Sequence, residues 1–469
     1  MNGSKLLQLF RSLERHDVQR IGKFVYSPFF NNREDVRRLF DYLEKHISSP
    51  TSYLRKEKAF EYVFPHEKTY DAQKILYAMS FLLQNIRRYL LIDEFENTEL
   101  HGQLYLLRAF RQRGMNTFFE KTMKDTHAQF EKQPLRHGDF HYVQYRLFLE
   151  EYEFQHRRKR TNELKLQESS DELMYFYLVD MLRQACAAAA LQLATDNNKY
   201  ETPLLEAALR IIEEKKLTVL PAIGAYYYAY HALKSEDTEG SAFQSLKEIL
   251  VNQWQAFPSG ELRDLYLVAI NYCIRRINRG LKAYEMESLA LYKFGLKNGV
   301  LIENNTLSAY TYHNILNASL KVGDYEWGKQ FLDEYKDFLI DTERTNVYNY
   351  SMAVLYFRLM DYAKAMDLLQ KITLREVLFN LDARRMLMRI YYDFEERAAL
   401  ASLIDSTKIY IHRQKNMGYG REHYWNLTCF LQKMLKNDLK NPETRAILRG
   451  EIEAEKSIAE KEWLLEKLK

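Results

Sequence analysis

Cysteine is almost absent from this chain: Cys186, Cys273 and Cys429 stand far apart in 469 residues. With no Cys-x-x-Cys pair, zinc and dithiol redox chemistry lack their usual ligands, and no disulfide framework suits an oxidising compartment. A reducing cytoplasm is the expected setting. Glycine (16) and proline (8) are also scarce. Sheet-rich folds need those turn residues often, so the deficit argues for helices. No run of about 18 uncharged apolar residues is present, which excludes a membrane-spanning helix. Met1 to Arg20 lacks the apolar core and small-residue cleavage site of a signal peptide. An excess of one charge sign is missing too. Sixty-eight basic against 64 acidic residues leave a net charge of +4, with no global pull toward nucleic acid or an anionic membrane.

What the chain does contain is apolar and aromatic: 46% hydrophobic residues, with 35 Tyr and 26 Phe, enough to bury a core. Leu, Glu, Lys, Arg, Ala and Gln fill the long stretches between the few breakers, and these residues lose least on entering a helix. The expected fold class is therefore all-α. Residues 1–97 read as an N-terminal helical bundle. Asn32 is placed to cap a helix ending at His46, Thr51 to open one that stops before Pro65, and Thr69 to cap a long third. That third helix carries apolar residues at Ile75, Leu76, Met79, Leu82, Leu83, Ile86, Leu90 and Leu91, a three-and-four spacing that marks one buried face. Just before these helices, Ser27-Pro28-Phe29-Phe30-Asn31 is a bend whose two aromatic rings read as core plugs.

Residues 98–303 read as an array of helical hairpins. Breaks are expected near Gly114, from Pro134 to Asp139, and at Ser169-Ser170. The small-residue stripe from Ala185 to Ala190 suits close helix packing. Thr202-Pro203 sets a capping hydroxyl before a proline at the first helical position, and further helices are expected from about Thr218, Thr238 and Ser259.

Past Asn304 a repeat becomes readable. Gly323-Asp324-Tyr325 is followed by Gly328, Leu332 and Tyr335; Met360-Asp361-Tyr362 by Ala365, Leu369 and Ile372; Glu395-Glu396-Arg397 by Leu400. From Asp324 to Asp361 is 37 residues and from Asp361 to Glu396 is 35. An acidic residue opens the second helix of each pair, where it meets the positive end of the helix dipole. A small residue, Gly328 or Ala365, falls where the paired helices cross. Tyr312 to Tyr335 and Asn349 to Ile372 resemble tetratricopeptide repeats, with Tyr312, Leu316, Gly323, Tyr325, Gly328 and Leu332 at the motif's places. Ser319 departs from the pattern, which has an aromatic residue there, and Leu400 departs from its small residue. The chain as a whole also resembles a group of uncharacterised bacterial helical proteins that share the Ser-Pro-Phe-Phe-Asn bend and the repeat half. The resemblance implies antiparallel helix pairs in a tetratricopeptide-like right-handed superhelix over residues 304–469. The amphipathic segment Glu451 to Lys469, with Ile458, Trp463, Leu464, Leu465 and Leu468 on one side, is expected to cap its end as a helix and leaves self-association open.

Motifs for chemistry are few. His137-Gly138-Asp139-Phe140-His141 spaces two imidazoles for a shared ion, but Gly138-Asp139 reads better as a helix start. Arg157-Arg158-Lys159-Arg160 is the densest basic run, diluted by Glu150, Glu151, Glu153 and Glu163 into a solvated face. Cys186, Cys273 and Cys429 sit in apolar helical stretches and are expected to be buried structural thiols. No Gly-x-Ser-x-Gly elbow or phosphate-binding glycine loop occurs. No catalytic, metal-binding or cofactor-binding residues are assigned, and no cofactor is expected.

The useful constellation lies on the first helices of the repeats. In the tetratricopeptide register His313, Asn317, Tyr350, Ser351, Arg385 and Arg389 face the concave groove, and Arg385 and Arg389, one turn apart, suit a carboxylate or acidic peptide. The expectation is a non-enzymatic protein that binds another protein or a peptide there. The alternative is a nucleic-acid-associated regulator. Tyr53 to Leu91, with Lys56, Lys58, Arg87 and Arg88, resembles the helical part of bacterial regulators that join a winged helix to tetratricopeptide helices, although no strand pair for a wing is present.

Overall fold

The computed structural model describes residues 1, 3–47, 53–97, 99–156, 165–194, 200–234, 240–374, 376–414 and 420–469. Among them are 23 α-helices and no strand, so the chain is all-α. No helix among the described residues is long and apolar enough to cross a membrane. The chain divides into two compact units: residues 1–134 with 138–177, and residues 135–137 with 178–469. Thr51, Arg157 to Arg160, Glu163 and Thr238 lie outside the described residues.

In the first unit the helices Lys5–Ser12, Arg15–Tyr26, Glu34–His46 and Lys56–Val63 all pack on the long helix Ala72–Asn97. Its buried stripe is Ile75, Ala78, Met79, Leu82, Ile86 and Tyr89, while Leu76 and Leu91 are exposed. Two expected caps move. Asp71, not Thr69, accepts from the backbone N–H groups of Gln73 and Lys74 at 2.8 and 3.2 Å. Asn31 organises the bend before Glu34–His46, where Asn32 was expected to cap, because its buried amide reaches backbone on both sides. Beyond, the helices Glu99–Gln112, Asn116–Lys132 and Gly138–His156 enclose Leu107, Phe119, Phe130, Val143, Leu147 and Phe154. Ser169-Ser170 break nothing: both lie inside Leu166–Ala194, where Ser169 is buried.

The second unit is a succession of hairpins, with Pro221–Leu233 packed on Ser241–Asn252, Ser259–Asn278 on Ala283–Lys297, Ala309–Val322 on Tyr325–Tyr335, and Arg344–Arg358 on Tyr362–Lys371. Val377–Asp393 packs on Arg397–Arg413. Thr202 and Pro203 form a turn ahead of Leu205–Glu214 in place of its cap.

The three expected repeat junctions share one backbone turn. A residue in the left-handed region ends the first helix: Gly323 (φ 84°), Met360 (φ 62°) and Glu395 (φ 58°). The next amide then reaches back to a carbonyl five residues earlier, Asp324 N to Ser319 O, Asp361 N to Tyr356 O and Glu396 N to Tyr391 O, at 2.9, 2.9 and 2.8 Å. This closes the orphan carbonyls of the helix end. Asp324 and Asp361 go on to cap the second helix by accepting from Trp327 N and Lys364 N. Glu396 makes no such bond, yet the turn persists. Tyr312 ties its pair together by donating to Leu332 O at 2.6 Å from a fully buried ring.

Ser319 is fully buried, its hydroxyl donating to Leu316 O at 2.8 Å. A Cβ on Gly328 would sit 2.4 Å from that hydroxyl, so the small pair Ser319 and Gly328 sets the helix crossing. Gly328→Ala is expected to cost about 1–3 kcal/mol through overpacking. In a Ser319→Ala background the same change becomes neutral or stabilising, because alanine favours the helix by about 1 kcal/mol once the contact is gone. Urea unfolding of the four variants measures this, and an equal cost in both backgrounds would refute the crossing argument.

Candidate functional site

Helical spacing brings three first helices to one place. On Ala309–Val322, His313 and Asn317 are one turn apart; on Arg344–Arg358, Val354, Phe357 and Arg358 follow at three and four; on Val377–Asp393, Asp382, Arg385, Met386 and Arg389 do the same. Together with Glu460 to Trp463 and Glu466 they line a cavity of about 630 Å³.

The C-terminal wall comes from a break in the chain. Glu451 to Lys469 is not one helix: Pro442–Ala454 ends, six residues turn, and Lys461–Lys467 begins. Ala459 N donates to His423 O at 3.1 Å and Asn426 donates to Ser457 O at 2.9 Å, which pin the turn on Gly420–Lys436. Ile458, Trp463, Leu464 and Leu468 are buried in one core with Met388, Leu400, Leu427 and Leu431. Glu460 sits at the turn's end in the left-handed region, φ 57°, where a residue with a side chain is disfavoured.

Its carboxylate meets two arginines. Arg385 Nη1 donates to one oxygen of Glu460, and Arg389 Nη1 donates to the other at 2.8 Å. Arg385 Nε donates in turn to Asp382 at 2.8 Å, and the buried Tyr350 hydroxyl donates to the other oxygen of Asp382 at 2.9 Å. Two guanidinium groups thus meet two carboxylates, and the side chains are only 14–25% exposed. Both arginines lie over the Phe357 ring at 5.5 and 5.2 Å, and Arg389 also over Trp463 at 5.5 Å. Lys467 adds an ion pair to Asp393 at 2.7 Å.

Burial works against ionisation of Asp382, yet Arg385 and the Tyr350 hydroxyl outweigh it and hold the carboxyl below its usual range. Burial and then Asp382 push the Tyr350 phenol well up, and burial pushes neighbouring Tyr424 up to about 12. The His313 ring lies tilted against Tyr350 and edge-on to Phe379, 5.2 Å from each, and its Nε2 lies 2.8 Å from the Asn317 amide. Burial lowers its pKa, with Asp382 opposing and Arg385 adding to the fall.

Of the six residues expected on the groove, His313, Asn317, Arg385 and Arg389 line the cavity. Tyr350 lies beneath it as a buried support for Asp382. Ser351 is fully buried and does not line it. Ser351 stands on the same helix stripe as Val354 and Arg358, three and seven residues before them, but at its level of the helix that stripe is covered. The arginine pair grips a carboxylate as expected of its spacing, but that carboxylate is the chain's own Glu460. Asp382 had a local signal three residues before Arg385; Glu460, Trp463 and Phe357 had none, being joined to the arginines only by the fold.

Elsewhere, His141 pairs through Nδ1 with Glu172 at 2.7 Å, on a helix that starts at Gly138. Among the described residues no three His, Cys, Asp or Glu side chains are grouped to hold a metal ion. Cys186 and Cys273 are buried as expected, and burial raises both thiols, Cys273 to about 12, whereas Cys429 is only partly buried. The chain matches no family model, and no curated protein or solved structure matches it.

Because burial lowers the His313 pKa, the unfolded chain takes up its proton at a higher pH than the folded chain does. Stability therefore rises with pH below the ordinary value of 6.5 and is flat above it for this group. Chemical denaturation between pH 7 and pH 5 is expected to give a shallower loss for His313→Gln than for the parent. Parallel slopes would show that the imidazole is not the group responsible.

Proposed function

We propose that this chain is a non-enzymatic helical-repeat protein that binds another protein through the cavity on the first helices of residues 304–469. In this reading the hairpins stack as a tetratricopeptide-like right-handed superhelix, which the recurring left-handed turns at Gly323, Met360 and Glu395 support. The observation that carries the reading is the arginine fork. Arg385 is held by Asp382, and both Arg385 and Arg389 lie over the Phe357 ring, in the posture that grips a carboxylate, beside about 630 Å³ of open cavity. Asp382, Arg385, Arg389 and Glu460 are committed to one another in ion pairs, which suits recognition better than proton transfer.

The partner's group is acidic, and Glu460 holds its place. Its left-handed backbone is disfavoured by roughly 1–2 kcal/mol, so an incoming carboxylate displaces a residue that leaves with strain relieved. Opposed charges along the rest of the cavity, Arg358 and Lys461 against Glu462 and Glu466, favour a mixed peptide over a polyanion.

A photoreactive benzoyl-phenylalanine in place of Arg358, exposed at the cavity rim, is expected to trap a discrete protein from cell extract. The yield should rise in a Glu460→Gln background, and the product should be absent when the group replaces exposed Lys329 on the helix Tyr325–Tyr335. The same products from positions 358 and 329 would contradict the reading.

A further inference from the structure

The first unit displays an aromatic surface that the cavity reading does not use. Phe30 of the Ser27 to Asn31 bend behaves as a core plug, stacked on Phe24 at 4.0 Å, but Phe29 is 81% exposed. Nothing loose puts it there. Phe30 N and Asn31 N both donate to Ser27 O, and buried Asn31 donates to Val25 O at 2.9 Å while accepting from Arg33 N at 3.1 Å. Four hydrogen bonds thus hold an apolar ring out in solvent, edge-on to Phe30 at 4.9 Å.

The neighbouring helix continues the surface. On Ala72–Asn97, Tyr77, Phe81 and Arg88 recur at four and seven and are all exposed. The Arg88 guanidinium lies 5.1 Å from the Phe30 ring, that of Arg33 lies 4.0 Å from Phe81, and that of Arg37 lies 5.8 Å from Tyr26. Placed this way, the arginines lie over ring faces with N–H groups to offer an acceptor.

Their charge balance says what kind of acceptor. Arg33 is already held by Asp35 at 2.6 Å, and the Tyr26 hydroxyl by Asp41 at 2.6 Å. No carboxylate among the described residues pairs with Arg37 or Arg88; Arg37 only donates to the Asn31 carbonyl at 2.9 Å. Nucleic-acid affinity grows with the number of phosphates that cations neutralise, and Asp35 and Asp41 offset part of the positive charge here. Two unneutralised arginines around an exposed ring fit a short apolar anchor flanked by one or two acids, the pairing that aromatic and arginine hot spots make in protein interfaces.

We propose that Phe29, Phe81, Arg37 and Arg88 form a second docking surface, for a protein segment that carries an apolar or aromatic anchor flanked by carboxylates. The test uses the full chain and three fluorescent probes: a dodecapeptide of Glu and Leu with a central Trp, the same peptide with Lys for Glu, and a single-stranded oligouridylate. The Glu peptide is expected to bind saturably, and Phe29→Ala and Arg88→Glu each to weaken it at least tenfold. Phe29→Ala should leave the melting temperature unchanged, since that ring is exposed. Failure of the Glu peptide to bind, binding that ignores Phe29→Ala, or equal binding of the Lys peptide would overturn the proposal. Oligouridylate binding that Phe29→Ala abolishes would overturn it too, in favour of nucleic acid.

Discussion

The second unit's C-terminal end depends on one ion cluster, in which Arg385 and Arg389 share Glu460 while Arg385 also holds Asp382. Taking charges out of water is expensive, and such a cluster is tolerable only when every charge meets its opposite and each polar edge finds a bond. Here two positive and two negative groups meet, with the Tyr350 hydroxyl on the remaining Asp382 oxygen, while Arg389 Nε stays buried without a hydrogen bond. The cluster is partly exposed, at 14–25% of each side chain for Arg385, Arg389, Glu460 and Asp382, so it stabilises less than a dry pair would. Its larger effect is positional. It decides where residues 457–468 run, and thereby closes one wall of the cavity.

Apolar packing carries the energy that the ion cluster directs. Ile458, Trp463, Leu464 and Leu468 join Met388, Leu400, Leu427 and Leu431, so the C-terminal segment covers the end of the hairpin series much as an array's terminus must. Leu400, where the repeat pattern has a small residue, is 1% exposed in that core. Leu400 thus joins the helix Arg397–Arg413 to the core that buries the C-terminal segment.

Local signals were the legible ones. The all-α class followed from composition, and the buried stripe of Ala72–Asn97 followed from its three-and-four spacing. The junctions at Asp324, Asp361 and Glu396 were readable from the acidic residue that opens each second helix, whereas the left-handed residue before it was not, since Met360 and Glu395 are not types that favour that region. Capping residues were missed by one or two positions, Asn31 for Asn32 and Asp71 for Thr69, because several small polar residues in a row compete for the same amides. Ser169-Ser170 misled for a related reason: serine marks a cap only when the backbone stops there, and in Leu166–Ala194 apolar packing carries the helix through. The arginine pair was legible as a carboxylate grip, but not its occupant. Glu460 lies 71 residues beyond Arg389, and no periodicity connects the two.

The central claim is that Glu460 is held by the fork itself rather than merely resting near it. A double-mutant cycle on Arg389→Gln and Glu460→Gln, read by denaturant unfolding of the full chain, measures that directly. The account predicts a coupling of about 1–3 kcal/mol, in the range for residues within one ion-pair network. A coupling indistinguishable from zero, with the two single costs simply adding, would contradict it.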